Sequence, residues 1–187
     1  TDNPKTITLV GGKEYSFIVV GAGGGGTNTP GISLQGNPGG NGHAYSATYT
    51  PTTDIQVDIR YGTGGVAGVL TSSTAAGGGR ASHIISTDGA SLIVIAGGGG
   101  GGGGGMHSSG DGLTSGSTYS SLSYSSGTAN NVSASTSRGG GGGGMLPGDI
   151  GPENSGSGGG GSGGGSLLVG ATNSGTQSQY RNELNDL

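Results

Sequence analysis

The sequence predicts an all-β chain: a small antiparallel β-sandwich with an inserted bundle of polyglycine II helices and almost no α-helix. Three observations predict it. Short apolar runs with period-two alternation recur through residues 1–96; 51 of the 187 residues are glycine; and these glycines gather in blocks enclosed by the apolar runs. Only 28% of the residues are apolar and 9% charged, too few of either for an ordinary large core or for a chain kept open by its own charge.

The most regular strand is the alternation of Ile55, Val57, Ile59 and Tyr61 with Gln56, Asp58 and Arg60, which predicts one buried face. Residues 6–10 and 15–20 flank Gly11-Gly12 and read as a hairpin or a bent pair. Residues 44–49 place Tyr45, Ala47 and Tyr49 on one face. Residues 81–86 and 91–96 surround Asp88-Gly89, a hairpin signal, and 166–171 reads as a returning strand. The whole chain, 1–187, is then one glycine-rich domain: strands over 1–96, polyglycine helices and loops over 97–165, and a returning strand with a tail over 166–187. In the tail, 177–187, Tyr180, Leu184 and Leu187 stand at helical spacing and suit a short helix or a contact with a partner subunit, with a frayed end as the plain alternative.

Residues 97–105 are nine consecutive glycines, 139–144 are six, and 158–165 are broken only by Ser162. Gly/Ser tracts usually behave as flexible linkers. Enclosed between apolar strands, they instead suit polyglycine II, an extended helix of three residues per turn without internal hydrogen bonds. Such helices satisfy their amides only through neighbours, and any side chain at a contact holds the backbones apart. Gly97, Gly101, Gly105, Gly139, Gly144, Gly158 and Gly161 are the structural glycines this predicts, with 97–105 as the central helix. Gly36, Gly39, Gly42 and Gly62, Gly65, Gly68 fall at period three and suit helices at the rim.

Gly21, Gly23 and Gly26 also satisfy G-x-G-x-x-G after a strand, the form of a dinucleotide-binding turn. That turn needs a helix starting at the glycines. Thr27-Asn28-Thr29-Pro30-Gly31 follow instead, with no apolar helical stripe and no acidic residue about twenty positions on to hold a ribose. No nucleotide cofactor is expected.

Other chemistry has as little support. The net charge of −4 and the absence of any Lys/Arg cluster give no footprint for nucleic acid. No apolar run is long enough for membrane insertion. Cysteine is absent, and neither zinc spacing nor a calcium loop occurs, so no metal is expected. His43, His83 and His107 are the only imidazoles, and Asp88 and Asp111 stand apart from other carboxylates. No catalytic residue is assigned, and a non-enzymatic role is expected.

Residues 106–138 carry one charged side chain before Arg138, Asp111, and are otherwise mostly Ser, Tyr, Thr, Gly, Ala and Asn. That is close to the composition of antibody contact loops, in which Tyr supplies rigid contact area and Ser, Gly and Asn adaptable hydrogen bonds. Tyr119, Tyr124, His107, Asn130 and Asn131 are the candidate ligand contacts. The bland alternative is a solvated loop whose tyrosines shield apolar surface. Asn131-Val132-Ser133 matches a glycosylation acceptor in a eukaryotic source.

The order of YSFIVVGAGG from Tyr15, GGNGHAYS from Gly39, GGGRASHII from Gly77, and LIVIA from Leu92 followed by nine glycines resembles the glycine-rich domain. That domain occurs in the extracellular parts of the anaplastic lymphoma kinase and leukocyte tyrosine kinase receptors and in microbial surface proteins. The resemblance covers most of residues 6–170 and implies a β-sandwich with an inserted bundle of hexagonally packed polyglycine helices. The cysteines, kinase and membrane segment of the receptors have no counterpart here. A looser resemblance is to the polyglycine-rich adhesins at phage tail-fibre tips, where glycine blocks alternate with receptor-binding loops; 106–138 and 145–156 repeat that arrangement, while the strand-rich first half does not.

The function expected is therefore an extracellular, cell-surface or virion-associated adhesin. Its partner would be a cell-surface glycan or protein, with a homo-oligomer or a larger fibre as its setting. The alternatives are a structural fibre module without a specific ligand and an ice-binding protein, which would need a flat, uninterrupted rim.

Overall fold

The computed structural model describes residues 5–28, 39–69, 76–101, 113–114, 153–154, 157–158 and 165–180. Every regular element among them is a strand: β1 (Lys5–Leu9), β2 (Tyr15–Val20), β3 (Thr27–Asn28), β4 (Gly42–Tyr49), β5 (Ile55–Arg60), β6 (Gly68–Val69), β7 (Ser82–Ser86), β8 (Ile93–Ala96), β9 (Leu113–Thr114), β10 (Glu153–Asn154), β11 (Ser157–Gly158), β12 (Gly165–Val169) and β13 (Thr172–Tyr180). Six strands form one sheet in the order β1-β5-β7-β8-β12-β9, and three form a second, β13-β4-β2. The long pairings are antiparallel; the short pairings β12 with β9 and β3 with β6 are parallel.

The alternation in β5 does what its period predicts. Val57 is fully buried and joins Leu9, Ile84, Leu92, Val94 and Ala96 of the six-stranded side with Val19 and Tyr45 of the three-stranded side in one core. Tyr15, Phe17, Tyr49, Ile55 and Ile59 pack around it. Tyr61 does not continue that face: it lies beyond the last residue of β5 and is 67% exposed. In β8 both faces are buried. Val94 and Ala96 enter the first core, whereas Ile93 and Ile95 form a second cluster with Ala81, flanked by Ile85 and Leu167. A strand buried on both sides reads as a continuous apolar run, which is how IVIA reads.

A second sequence expectation is corrected. β1 and β2 do not form a hairpin: β1 pairs with β5 and β2 with β4, so the chain passes from one sheet to the other at Gly11-Gly12. Gly12 adopts φ 75°, open to glycine at no steric cost, and its N–H donates to the Pro51 carbonyl at 2.7 Å. The tail is a strand as far as Tyr180, while Leu184 and Leu187, with which Tyr180 would share a helical face, lie outside the described residues. Thr172–Tyr180 pairs antiparallel along β4, whose main chain supplies the ladder that TNSGTQSQY, with no apolar stripe to bury, needs for order.

The β7–β8 connection is the predicted hairpin. The Asp88 carboxylate accepts from the N–H groups of Ala90 (2.9 Å) and Ser91 (3.0 Å), from the Ser86 hydroxyl (2.5 Å), and from the Ser91 hydroxyl. These donors hold its carboxyl well below the usual carboxylate range. Gly89, at φ 68°, completes the turn.

Candidate functional site

Among the described residues, the glycine segments that follow or precede the long strands lie at one end of the two sheets. β2, β5 and β8 run out into residues 21–26, 61–67 and 97–101, while 39–41 and 76–81 lead into β4 and β7. Their main chains bond sideways. Gly21 and Gly24 donate to the carbonyls of His43 (2.8 Å) and Gly40 (2.9 Å), and Ala22 and Gly25 to those of Arg80 (3.0 Å) and Gly77 (2.9 Å). The carbonyls of Gly23 and Gly26 accept from Gly65 and Gly68, each at 3.0 Å. Adjacent residues of one segment thus address different neighbours, and each neighbour is met again three residues on. The same step recurs where Gly40 and His43 donate to Gly100 and Gly97, and where Gly77 and Arg80 donate to Val66 and Thr63. Bonds from Gly79 to Gly99 and from Gly99 to Ala22 close the set.

Among the described residues, main-chain bonds join segment 21–26 to four neighbours and 97–101 to three. The reason for glycine is close approach. A Cβ at Gly24 would overlap the Gly100 carbonyl oxygen, one at Gly42 the Gly21 oxygen, and one at Gly101 the Ala76 oxygen. At Gly23 the nearest atom to such a Cβ is the Gly40 oxygen, at an ordinary 3.6 Å. Gly97 receives the His43 N–H and donates its own to the Ser166 hydroxyl at 2.8 Å. Gly158 lies in β11, opposite Glu153. Gly105, Gly139, Gly144 and Gly161 lie outside the described residues.

This geometry accounts for G-x-G-x-x-G. The amides of Gly21, Ala22, Gly24 and Gly25 already donate to main-chain carbonyls, so the donors a phosphate would need are taken.

Thr27 and Asn28 pair with Gly68 and Val69, beyond the lateral bonds of 21–26. Thr114, in β9, lies beside Ser166 on the edge of the six-stranded sheet. The candidate contacts His107, Tyr119, Tyr124, Asn130 and Asn131 lie outside the described residues. Among the described residues no group of three His, Cys, Asp or Glu side chains could hold a metal ion, and no helix is long and apolar enough to cross a membrane.

The two described imidazoles are interior. His43 is 2% exposed, its ring edge-on to Tyr45 at 4.7 Å between centroids. Its main chain joins two glycine segments, donating to Gly97 and accepting from Gly21. Sequence reasoning missed this pinning role, although His43 stands three residues after Gly40 and so shares its period. His83 lies on the outer face of the six-stranded sheet, in register with Arg60 on one side and Ile95 on the other.

Burial, and then the Arg60 cation, push the His83 imidazole down from 6.5 to about 4, with Asp58 acting weakly the other way. Its folded value lies below its unfolded one, so the unfolded chain takes up the proton first as pH falls. The stability held by neutral His83 is fully present above about 6.5 and is lost by about 4. The loss expected is on the order of 3 kcal/mol. Urea denaturation at neutral pH and near pH 4 should show it in the wild type and much less of it in His83→Gln. Equal losses in both proteins would contradict the assignment.

No protein-family model matches the chain, and neither does any curated protein.

Proposed function

We propose that this chain is a non-enzymatic, extracellular receptor-binding module: a β-sandwich extended at one end by a polyglycine II bundle, which presents Ser/Tyr-rich loops to a cell-surface glycan or protein. The bundle is supported by the three-residue recurrence of the lateral main-chain bonds, the period of a three-fold extended helix. The sandwich is supported by the single core drawn from both sheets.

The observation that carries the reading is the set of main-chain bonds that ties 21–26, 39–43, 61–68, 76–81 and 97–101 into one frame at one end of the sheets. Residues 29–38, 70–75 and 106–138 follow its segments in sequence and carry two charges in all, Asp111 and Arg138. Rigid scaffolds that carry small, polar loops suit recognition, because contacts made from a pre-organised frame lose less entropy on binding. Low charge in these stretches favours hydrogen-bonding partners such as glycans or neutral protein surfaces over nucleic acid.

The test is binding of the labelled chain to a panel of bacterial and eukaryotic cells, beside a folded Tyr119→Ala/Tyr124→Ala variant. Saturable binding to some cells, weakened roughly tenfold or more in the variant, is the expected result. No binding across the panel would overturn the reading in favour of a structural fibre module.

A further inference from the structure

Among the described residues, β2 is an outer edge of the three-stranded sheet and differs from the other edges of the two large sheets. β1 opens on Lys5, β9 is two residues long, and β13 is polar and broken by register shifts between Asn173 and Gly175 and between Gln177 and Tyr180. Each is a common way of stopping a sheet edge from pairing with another chain. β2, YSFIVV, has no charge, no proline and no bulge, and it ends the order β13-β4-β2. Ile18, at its middle, points away from the core and is 69% exposed.

The main-chain direction of this edge follows from its pairing. Gly21 donates to His43 on the β4 side, so Tyr15, Phe17 and Val19 face β4 as well, and Ser16, Ile18 and Val20 turn their N–H and C=O groups outward. Among the described residues nothing pairs with them.

We propose that β2 is a self-association edge, pairing antiparallel with β2 of a second copy about a two-fold axis through Ile18. A second copy is favoured over a foreign strand because the edge complements itself. A two-fold axis normal to the sheet keeps inner faces inner, so residues of equal parity meet: Ile18 opposite Ile18, Ser16 opposite Val20, and Phe17 opposite Val19. All three outward-facing residues then find partners, giving about six main-chain hydrogen bonds. Phe17, half-buried at the sheet edge, gains an apolar neighbour on the core side. Like charges do not meet. Glu14 of one copy lies eight residues along from Glu14 of the other, roughly 27 Å at the antiparallel rise and beyond the screening length. The two sheets become one, and the glycine ends of the two copies point in opposite directions.

The experiment is sedimentation of the 187-residue chain across a concentration series from low micromolar to millimolar, with Ile18→Lys and Ile18→Glu, each checked for unchanged circular dichroism. The wild type should double in mass as concentration rises. Each variant alone should stay monomeric, because like charges would face each other across the axis, and an equimolar mixture of the two should dimerise again. A wild type that is monomeric throughout overturns the proposal. So do variants that dimerise like the wild type, which would place the interface elsewhere, and a mixture that stays monomeric, which would remove Ile18 from the axis.

Discussion

Gly24→Ala is expected to destabilise the fold by at least ~3 kcal/mol, while Gly23→Ala, one residue away, stays within about 1 kcal/mol of wild type. The two changes are chemically identical and sit in one segment. A methyl at position 24 meets the carbonyl oxygen of Gly100, a main-chain atom that cannot rotate away, so segments 21–26 and 97–101 must separate. That separation strains the bonds of Gly24 to Gly40, of Gly40 to Gly100 and of Gly99 to Ala22 together. At Gly23 the nearest atom is 3.6 Å away and φ is not positive, so alanine fits and restricts the unfolded chain, a small gain. For a chain of this size the contrast is a melting difference of roughly 6–12 °C. Similar melting temperatures for the two variants would mean that the segments are not packed main chain to main chain.

Ile95→Ala should cost ~2–5 kcal/mol, against less than about 0.5 kcal/mol for Val10→Ala. Ile95 is fully buried, whereas Val10 is 51% exposed in the connection after β1. Ile95 lies on the face of β8 opposite the main core, with Ile93 and Ala81, and truncating it leaves a cavity that the tightly bonded β7 and β12 on either side cannot close. A two-state urea titration of both variants measures the difference. An Ile95→Ala variant as stable as Val10→Ala would mean that the outer face of this sheet is open to water.

The strands were legible wherever side chains alternate or form an apolar run. Residues 15–20, 55–61 and 91–96 announce β2, β5 and β8, and Asp88-Gly89 announces the turn between β7 and β8. What stayed hidden depends on partners distant in sequence. Nothing local in Gly11-Gly12 separates a hairpin from a crossing between sheets, because that is decided by β5 and β4 offering longer ladders to β1 and β2. β13 carries almost no apolar signal and exists because β4 has a second edge. A period of three was read only in Gly36, Gly39, Gly42 and Gly62, Gly65, Gly68, and the hydrogen bonds linking segment 21–26 to four others join residues tens of positions apart. The contact residues proposed on 106–138 rest on composition, and composition names a surface chemistry without naming a position.

The central claim, that the glycine segments form a laterally bonded lattice, is tested most directly by amide hydrogen exchange. The N–H groups of Ala22, Gly24, Gly25, Gly40, Gly65, Gly77, Gly79 and Gly99 each donate to another segment. They are predicted to exchange as slowly as the amides of β4 and β8, within one cooperative unit. Exchange of these glycines at the rate of an unstructured peptide, while β4 and β8 remain protected, would contradict the lattice and return the glycine segments to flexible linkers between strands.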